Sequence, residues 1–289
     1  VRKLFLLFFA IAFCASTNRA NAQIVVNEYS ASNLSQFVDD HSDYGDWVEL
    51  YNTSATPVNI SGYHLSDDST KSLKYEIPAG TVITGHGYRK FWCSGRNTFS
   101  GVNIHTNFHL TQTKNSSEDL IFADPAGVIL DGVKLTKTQN AHSRGRTTDG
   151  DTLWSIFTSP TPGASNNTAL GYTRYADKPD FTVHAGFYTA PFVVFITNTD
   201  PGSTIRYTLD GTLPTSTSPV YTGGITISTT KVLKAITYHT DPTILPSFIE
   251  FQTYFMNVNH TVPVVSIAGT QLTTLANGSG TLVPFGSFE

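Results

Sequence analysis

The sequence is poor in cysteine, methionine and charge, and it has a single long apolar run. Only two cysteines occur in 289 residues, Cys14 and Cys93. Cys14 lies within that apolar run, in a stretch with the marks of a removable leader. The remaining chain then keeps Cys93 alone, which excludes an intrachain disulfide and leaves stability to packed cores. Cys93 follows Phe91-Trp92 in an expected strand and reads as a small buried hydrophobe rather than a reactive thiol. Charged residues make up 14% of the chain, and the formal net charge of −4 becomes −7 without Arg2, Lys3 and Arg19. A surface of that sign has no attraction for nucleic acid or anionic lipid. The apolar run, Leu4 to Ala15, is shorter than the roughly 20 residues of a spanning helix. No nucleophile-elbow signature and no phosphate-cradling glycine loop occurs. No persuasive helical period follows the leader.

What is present at the start is a leader pattern. Arg2 and Lys3 precede the apolar run, and Ala20-Asn21-Ala22 is a small-x-small cleavage site. Residues 1–22 are therefore expected to be a signal peptide and Gln23 the mature N-terminus, with no membrane insertion after cleavage. Retention as an anchor is the competing outcome. At the other end, Gly286-Ser287-Phe288-Glu289 stops in mid-pattern, so a continuation beyond residue 289 is expected.

Between the ends, period-two alternation punctuated by turn residues dominates. Strands are expected at Ile24–Ser30, Trp47–Asn52, Val58–Leu65, Leu73–Ile77, Tyr88–Cys93, Asp119–Ala123 and Val128–Val133. Asp124-Pro125-Ala126-Gly127 is a hairpin loop between the last two. Thr, Ser, Asn and Gly are plentiful, and so many short strands indicate sandwiches.

Three resemblances rest on particular residues. The run Asp46-Trp47-Val48-Glu49-Leu50-Tyr51-Asn52, then Val58-Asn59-Ile60-Ser61-Gly62-Tyr63, resembles the opening of the lamin-tail domain. Tyr75-Glu76-Ile77-Pro78-Ala79-Gly80, Ser117 to Phe122 with Gly127 to Asp131, and Ser159-Pro160-Thr161-Pro162-Gly163 continue that likeness in order, as in its secreted bacterial form. Further on, Arg206-Tyr207-Thr208-Leu209-Asp210-Gly211-Thr212-Leu213-Pro214 resembles the small C-terminal domain of chitobiase and β-hexosaminidase, an accessory module to which the glycosidase chemistry does not belong. Val262-Pro263-Val264-Val265-Ser266-Ile267 and the residues after it are similar to the opening of a CotH-like domain. The resemblances imply an all-β chain with two tandem immunoglobulin- or fibronectin-like antiparallel sandwiches. The expected division is a leader over 1–22, a lamin-tail-like sandwich over 23–167, a linker over 168–177, a chitobiase C-terminal-like sandwich over 178–256 and a truncated CotH-like start over 257–289.

Candidate chemistry is sparse. The oxygen-rich loop Asp39-Asp40-His41-Ser42-Asp43-Tyr44-Gly45-Asp46 offers Asp39, Asp43 and Asp46 as ligands for Ca²⁺, which takes six to eight oxygens. The loop lacks the distal bidentate Glu of a calcium loop, and turn capping by its aspartates explains it equally well. Glu28 and Glu49 sit in apolar strands. They could serve as paired glycosidase carboxylates, or structurally as solvent-facing residues or acceptors of backbone hydrogen bonds, and the structural role is favoured. His105 and His109, four apart in an extended run, would lie about 13 Å from one another and cannot share a metal without a bend. Tyr63, Tyr172, Tyr175, Tyr188 and Tyr221 are the candidate aromatic platforms, against the alternative that they fill half-buried strand positions. Tyr63, Tyr188 and the Asp210 turn form the expected binding rim with the acidic loop. Asn52, Asn59 and Asn115 head glycosylation triplets that matter only in a eukaryotic secretory pathway.

No cofactor is implied unless Ca²⁺ binds the loop. The expected function is a non-catalytic binding or scaffolding region, secreted or on a bacterial cell surface, that meets a glycan or protein. Two other readings are a carbohydrate-binding accessory region of a polysaccharide-processing enzyme and the targeting region of a CotH-like kinase.

Overall fold

A computed structural model describes residues 23–112, 118–258, 264, 266–269 and 286–288. The expected leader over 1–22, Asn115 and most of the expected CotH-like start lie outside the described residues. The described chain is all-β, and its one helical element is a single 3-10 turn, Asn166–Thr168.

The first sandwich is built on an eight-stranded sheet. Its order is Gly171–Tyr172, Trp154–Phe157, Ser143–Arg146, Ile24–Ser30, Trp47–Asn52, Tyr88–Trp92, Asn103–His105 and Thr98–Ser100. A four-stranded sheet of Ile129–Lys134, Asp119–Ala123, His64–Ser66 and Tyr75–Glu76 faces it. Alternation decides what fills the gap. Ile24, Val26, Val48, Leu50 and Phe91 point inward, meet Leu65, Leu120 and Phe122, and are buried. Each such side chain taken from water stabilises by roughly 1.5–3 kcal/mol.

Strict alternation would put Glu28 in that core. A bulge between Val26 and Glu28 resets the register, so Tyr29 takes the inward position and Glu28 lies opposite Glu49. The other face of the sheet is covered rather than wet. The loop after Ser30 brings Phe37 against the edge of Trp47, with ring centroids 6.1 Å apart, and the segment 149–166 covers the carboxylates. Hence all seven residues of Ile24–Ser30 are buried.

Two expected strands are shorter than their alternation suggests. Val58–Leu65 divides into Val58–Asn59 and His64–Ser66, because Gly62 takes a positive φ of 78° and turns the chain between two sheets. Of Leu73–Ile77 only Tyr75–Glu76 pairs. The hairpin loop over 124–127 is as expected, with Asp124 Oδ1 accepting from the N–H groups of Ala126 and Val128 and Gly127 at φ 84°.

The second sandwich has its own core of Phe181, Val194, Ile196, Ile225, Ile227, Leu233, Ala235, Tyr254 and Met256. Its main sheet runs Gly186–Tyr188, Glu250–Met256, Lys231–His239, Ser203–Thr208, and Phe192–Val194 pairs with Ile225–Ile227. Most pairing is antiparallel, with a few parallel exceptions. Gly186–Tyr188 lies parallel to Tyr254–Met256, and Trp92 pairs in parallel with His105. A parallel pair needs a long crossover, which the intervening chain supplies.

Residues 168–177, expected as a linker, do connect the sandwiches, yet they are pinned on both sides. Gly171–Tyr172 extends the eight-stranded sheet. Arg174–Tyr175 pairs in parallel with Ile244–Leu245 of the second sandwich. A polar composition hid both short strands, since neither shows alternation long enough to read.

Candidate functional site

The acidic loop after the first strand folds on itself before it reaches anything else. Asp39 Oδ1 accepts from the N–H groups of His41 (2.8 Å) and Asp43 (3.0 Å), so this side chain caps the turn that follows it. Ser42 takes a positive φ of 66° in that turn. Asp39 Oδ2 lies 3.3 Å from Nη1 of Arg96, whose Nη2 bonds Asp43. The guanidinium thus stands where the expected Ca²⁺ would pair with Asp39 and Asp43.

Asp46, the third expected ligand, does not join them. Its Oδ1 accepts a long 3.4 Å bond from Asn33 N–H, and burial raises its carboxyl to about 7. Asp39 and Asp43 are therefore brought together by Arg96, and Asp46 is sent inward.

The same loop makes a second arrangement that spacing does not reveal. His105 ends the Asn103–His105 strand and is 1% exposed. Its Nε2 is 2.7 Å from Asp40 Oδ1 and its Nδ1 is 2.8 Å from Ser94 Oγ. An ionised carboxylate only accepts, so Nε2 carries the proton toward Asp40, and this hydrogen bond holds the Asp40 carboxyl below its ordinary value. Ser100 Oγ donates to the other Asp40 oxygen at 3.2 Å. The ring of His41 lies edge-on to that of His105, with centroids 5.1 Å apart. Among the described residues, Asp40, His41 and His105 bring three ligand atoms within 4.8 Å of one another. His109 is not part of this group: it bridges Ser94 on an exposed edge.

Glu28 and Glu49 form the other carboxylate pair, and their environment is structural. Glu28 accepts from Ser143 Oγ, from Thr161 N–H (3.1 Å) and from Thr161 Oγ1 (2.9 Å). Glu49 Oε2 accepts from Gly163 N–H. The Pro160-Thr161-Pro162-Gly163 exit is thereby clamped to the sheet. Burial raises both carboxyls, that of Glu49 well above the ordinary range, and the charge of Glu28 adds to the cost at Glu49 while that of Asp149 adds to the cost at Glu28. Glu49 Oε1 makes no well-formed hydrogen bond, although the Asn27 side chain acts on this carboxyl. Nearby Asp149 is held low although burial opposes it, because Ser165, Tyr88, Asn27 and Asn166 N–H all donate to it.

The tyrosines are mostly committed. Tyr63 stacks on Phe122 at 5.4 Å against the first core. Tyr188 packs on Phe192 and Tyr254 and donates its hydroxyl to His184 O. Tyr221 OH accepts from Ile196 N–H at 3.0 Å. Tyr175 is part of the junction between the sandwiches. Its OH accepts from Gln139 N–H and lies 2.8 Å from His142 Nδ1, and its ring meets Phe248 at 4.9 Å. Burial pushes its hydroxyl up to about 12 and lowers His142. Gln139 Nε2 also donates to Pro246 O and Ser247 O, both at 3.0 Å. Asp210 accepts from Thr212 N–H and Oγ1, capping its own turn. Among the described residues, no contact joins Tyr63, Tyr188 and Asp210 into one rim.

Comparison with known families agrees with this architecture. The Lamin Tail Domain family matches residues 17–140, and the Chitobiase/beta-hexosaminidase C-terminal domain family matches residues 183–243. Both are immunoglobulin-like β-sandwich domains. The first match ends before Ser143–Arg146 and Trp154–Phe157, which complete the large sheet. No family match covers the expected CotH-like start, which gains no support. No curated protein matches the chain.

Proposed function

We propose that this segment is a non-catalytic binding and spacing region of an exported protein, in which two sandwiches are fastened together to present surfaces beyond the cell. The observation that carries this reading is the junction. Residues 171–175 add a strand to each sandwich, Arg174 forks onto Asp200 at 2.9 and 2.7 Å, and Gln139 of the first domain closes the seam by donating to Tyr175 OH, Pro246 O and Ser247 O. A flexible tether would need none of these contacts. The polar clamps on Glu28 and Glu49 likewise serve to hold chain rather than to turn over a substrate. Export rests on the leader pattern of residues 1–22.

The partner that fits a surface of net negative charge is a neutral or weakly cationic glycan or a protein face. One observation favours the glycan-binding accessory role. Asn198, Asp200, Ser203 and Tyr221 line a shallow polar depression on the second sandwich, and the buried Ser203 Oγ there has no hydrogen-bond partner.

Limited proteolysis of the purified protein tests the junction. A resistant fragment spanning both sandwiches is expected, with the pair Gln139→Ala and Tyr175→Ala restoring cleavage between about residues 168 and 177. Cleavage there in the parent protein would overturn the fastened arrangement. A glycan array and a cell-envelope pull-down test the binding role. Retention on neutral polymers that drops with Ser203→Val or Asn198→Ala is expected. Binding only to sulfated or phosphorylated polymers, or a glycosidase activity lost in Glu28→Gln, would overturn it.

A further inference from the structure

We propose that Asp40, His41 and His105 form a site for one divalent transition-metal ion of the zinc class. The donor set selects the ion. Two imidazole nitrogens and one carboxylate oxygen suit Zn²⁺ and its neighbours, whereas Ca²⁺ asks for many oxygens. All three ligand atoms already lie within 4.8 Å of one another.

Two of the three ligands, His105 and Asp40, are also oriented from behind, as metal ligands require. His105 is fixed by burial and by Ser94 Oγ at 2.8 Å from Nδ1. Asp40 is steadied by Ser100 Oγ at 3.2 Å on the oxygen that faces away from His105. When the ion binds, His105 changes tautomer with no net loss of a proton, Nε2 giving its proton to solvent while Nδ1 takes one up. Nδ1 then carries the ring proton and donates to Ser94 Oγ, and the vacated Nε2 lone pair and Asp40 Oδ1 take the metal.

The geometry needs little change. Asp40 Oδ1 and His105 Nε2 are 2.7 Å apart, and ligands of a tetrahedral zinc ion are about 3.3 Å apart. Asp40 and His41 lie in an exposed turn that can supply the difference.

Charge points the same way. Asp39, Asp40 and Asp43 carry three negative charges, and Arg96, bound to the first and third, supplies one positive charge. With neutral histidines this leaves two negative charges uncompensated, which a divalent ion matches. Arg96 lies on the Asp39–Asp43 side, so it pairs with those carboxylates without occupying the Asp40 position.

Titration of the purified protein, without a histidine tag, with Zn²⁺ and separately with Ca²⁺ tests the site, by calorimetry and by the visible absorbance of Co²⁺ in its place. His41 and Asp40 are exposed, so His41→Ala and Asp40→Asn leave the fold intact, which circular dichroism checks. We expect one Zn²⁺ per chain, an affinity at least about ten-fold weaker in each variant, loss of the Co²⁺ band, and unchanged binding in Asp43→Ala. Zn²⁺ binding equal in the parent, His41→Ala and Asp40→Asn would overturn the proposal. So would preference for Ca²⁺, or absence of any saturable Zn²⁺ uptake.

Discussion

Two sets of carboxylates in the first sandwich show how differently one residue type can be used. Glu28 and Glu49 lie on adjacent strands, fully buried, and their carboxyls are raised because desolvation and neighbouring carboxylates penalise charge. Asp39, Asp40 and Asp43 lie in a loop and answer their charge locally, with backbone N–H groups, Arg96 and His105. The first set spends its oxygens holding the exit segment 161–163 against a sheet. The second leaves its imidazole and carboxylate atoms grouped at a surface. In sequence both sets are acidic residues near apolar strands. What distinguishes them is the number of donors that tertiary contact delivers and how much water remains.

The sharpest way to break this comparison is to remove Glu28. Glu28→Ala leaves Ser143 Oγ and Thr161 N–H without acceptors in a buried place, and a loss of about 3 kcal/mol in urea unfolding is expected. Glu28→Gln keeps the shape and one acceptor, so it should cost less than half as much. An unaffected Glu28→Ala would mean that the exit segment is held elsewhere.

Asp46 tests whether burial alone moves a loop carboxylate into the first class. Its folded value, about 7, exceeds the unfolded value near 3.9. The folded state thus binds this proton more tightly, and Asp46 opposes folding increasingly as pH rises from about 4 to 7. Asp46→Asn should flatten that part of the stability profile and gain about 1–3 kcal/mol at neutral pH. A profile of unchanged slope would show that Asp46 stays ionised through a route the contacts do not reveal.

Arg96→Ala comes next in expected size. It strips the cation from Asp39, whose side chain is fully buried, and about 1–2 kcal/mol should be lost. Asp43→Ala removes a partner that is 61% exposed, so thermal unfolding should move least, by about 0.5 kcal/mol or less. Equal effects at Asp39 and Asp43 would erase the distinction between capping and pairing within the loop.

Much of the fold was legible along the chain because sheets repeat every two residues. Ile24–Ser30, Trp47–Asn52 and Asp119–Ala123 have the bounds that alternation and turn residues indicate. Thr98–Ser100 and Asn103–His105 were not legible, since three-residue strands carry too little pattern. The acidic loop was visible as a candidate, but its metal-ligand reading fell on Asp39, Asp43 and Asp46. Arg96 and His105, over 50 positions away, decide which oxygens are taken and which remain.

The all-β class, the hairpin at Asp124–Gly127 and the inward-facing apolar rows follow from residue order alone, because backbone period and turn chemistry are local. Long-range folding is what makes a bulge turn Glu28 out of the core and beside Glu49. It also decides that the 168–177 stretch fastens both sandwiches and that Asp40 meets His41 and His105. Those outcomes depend on which distant donors, cations and strand edges fold to the same place, and on the water excluded when they do.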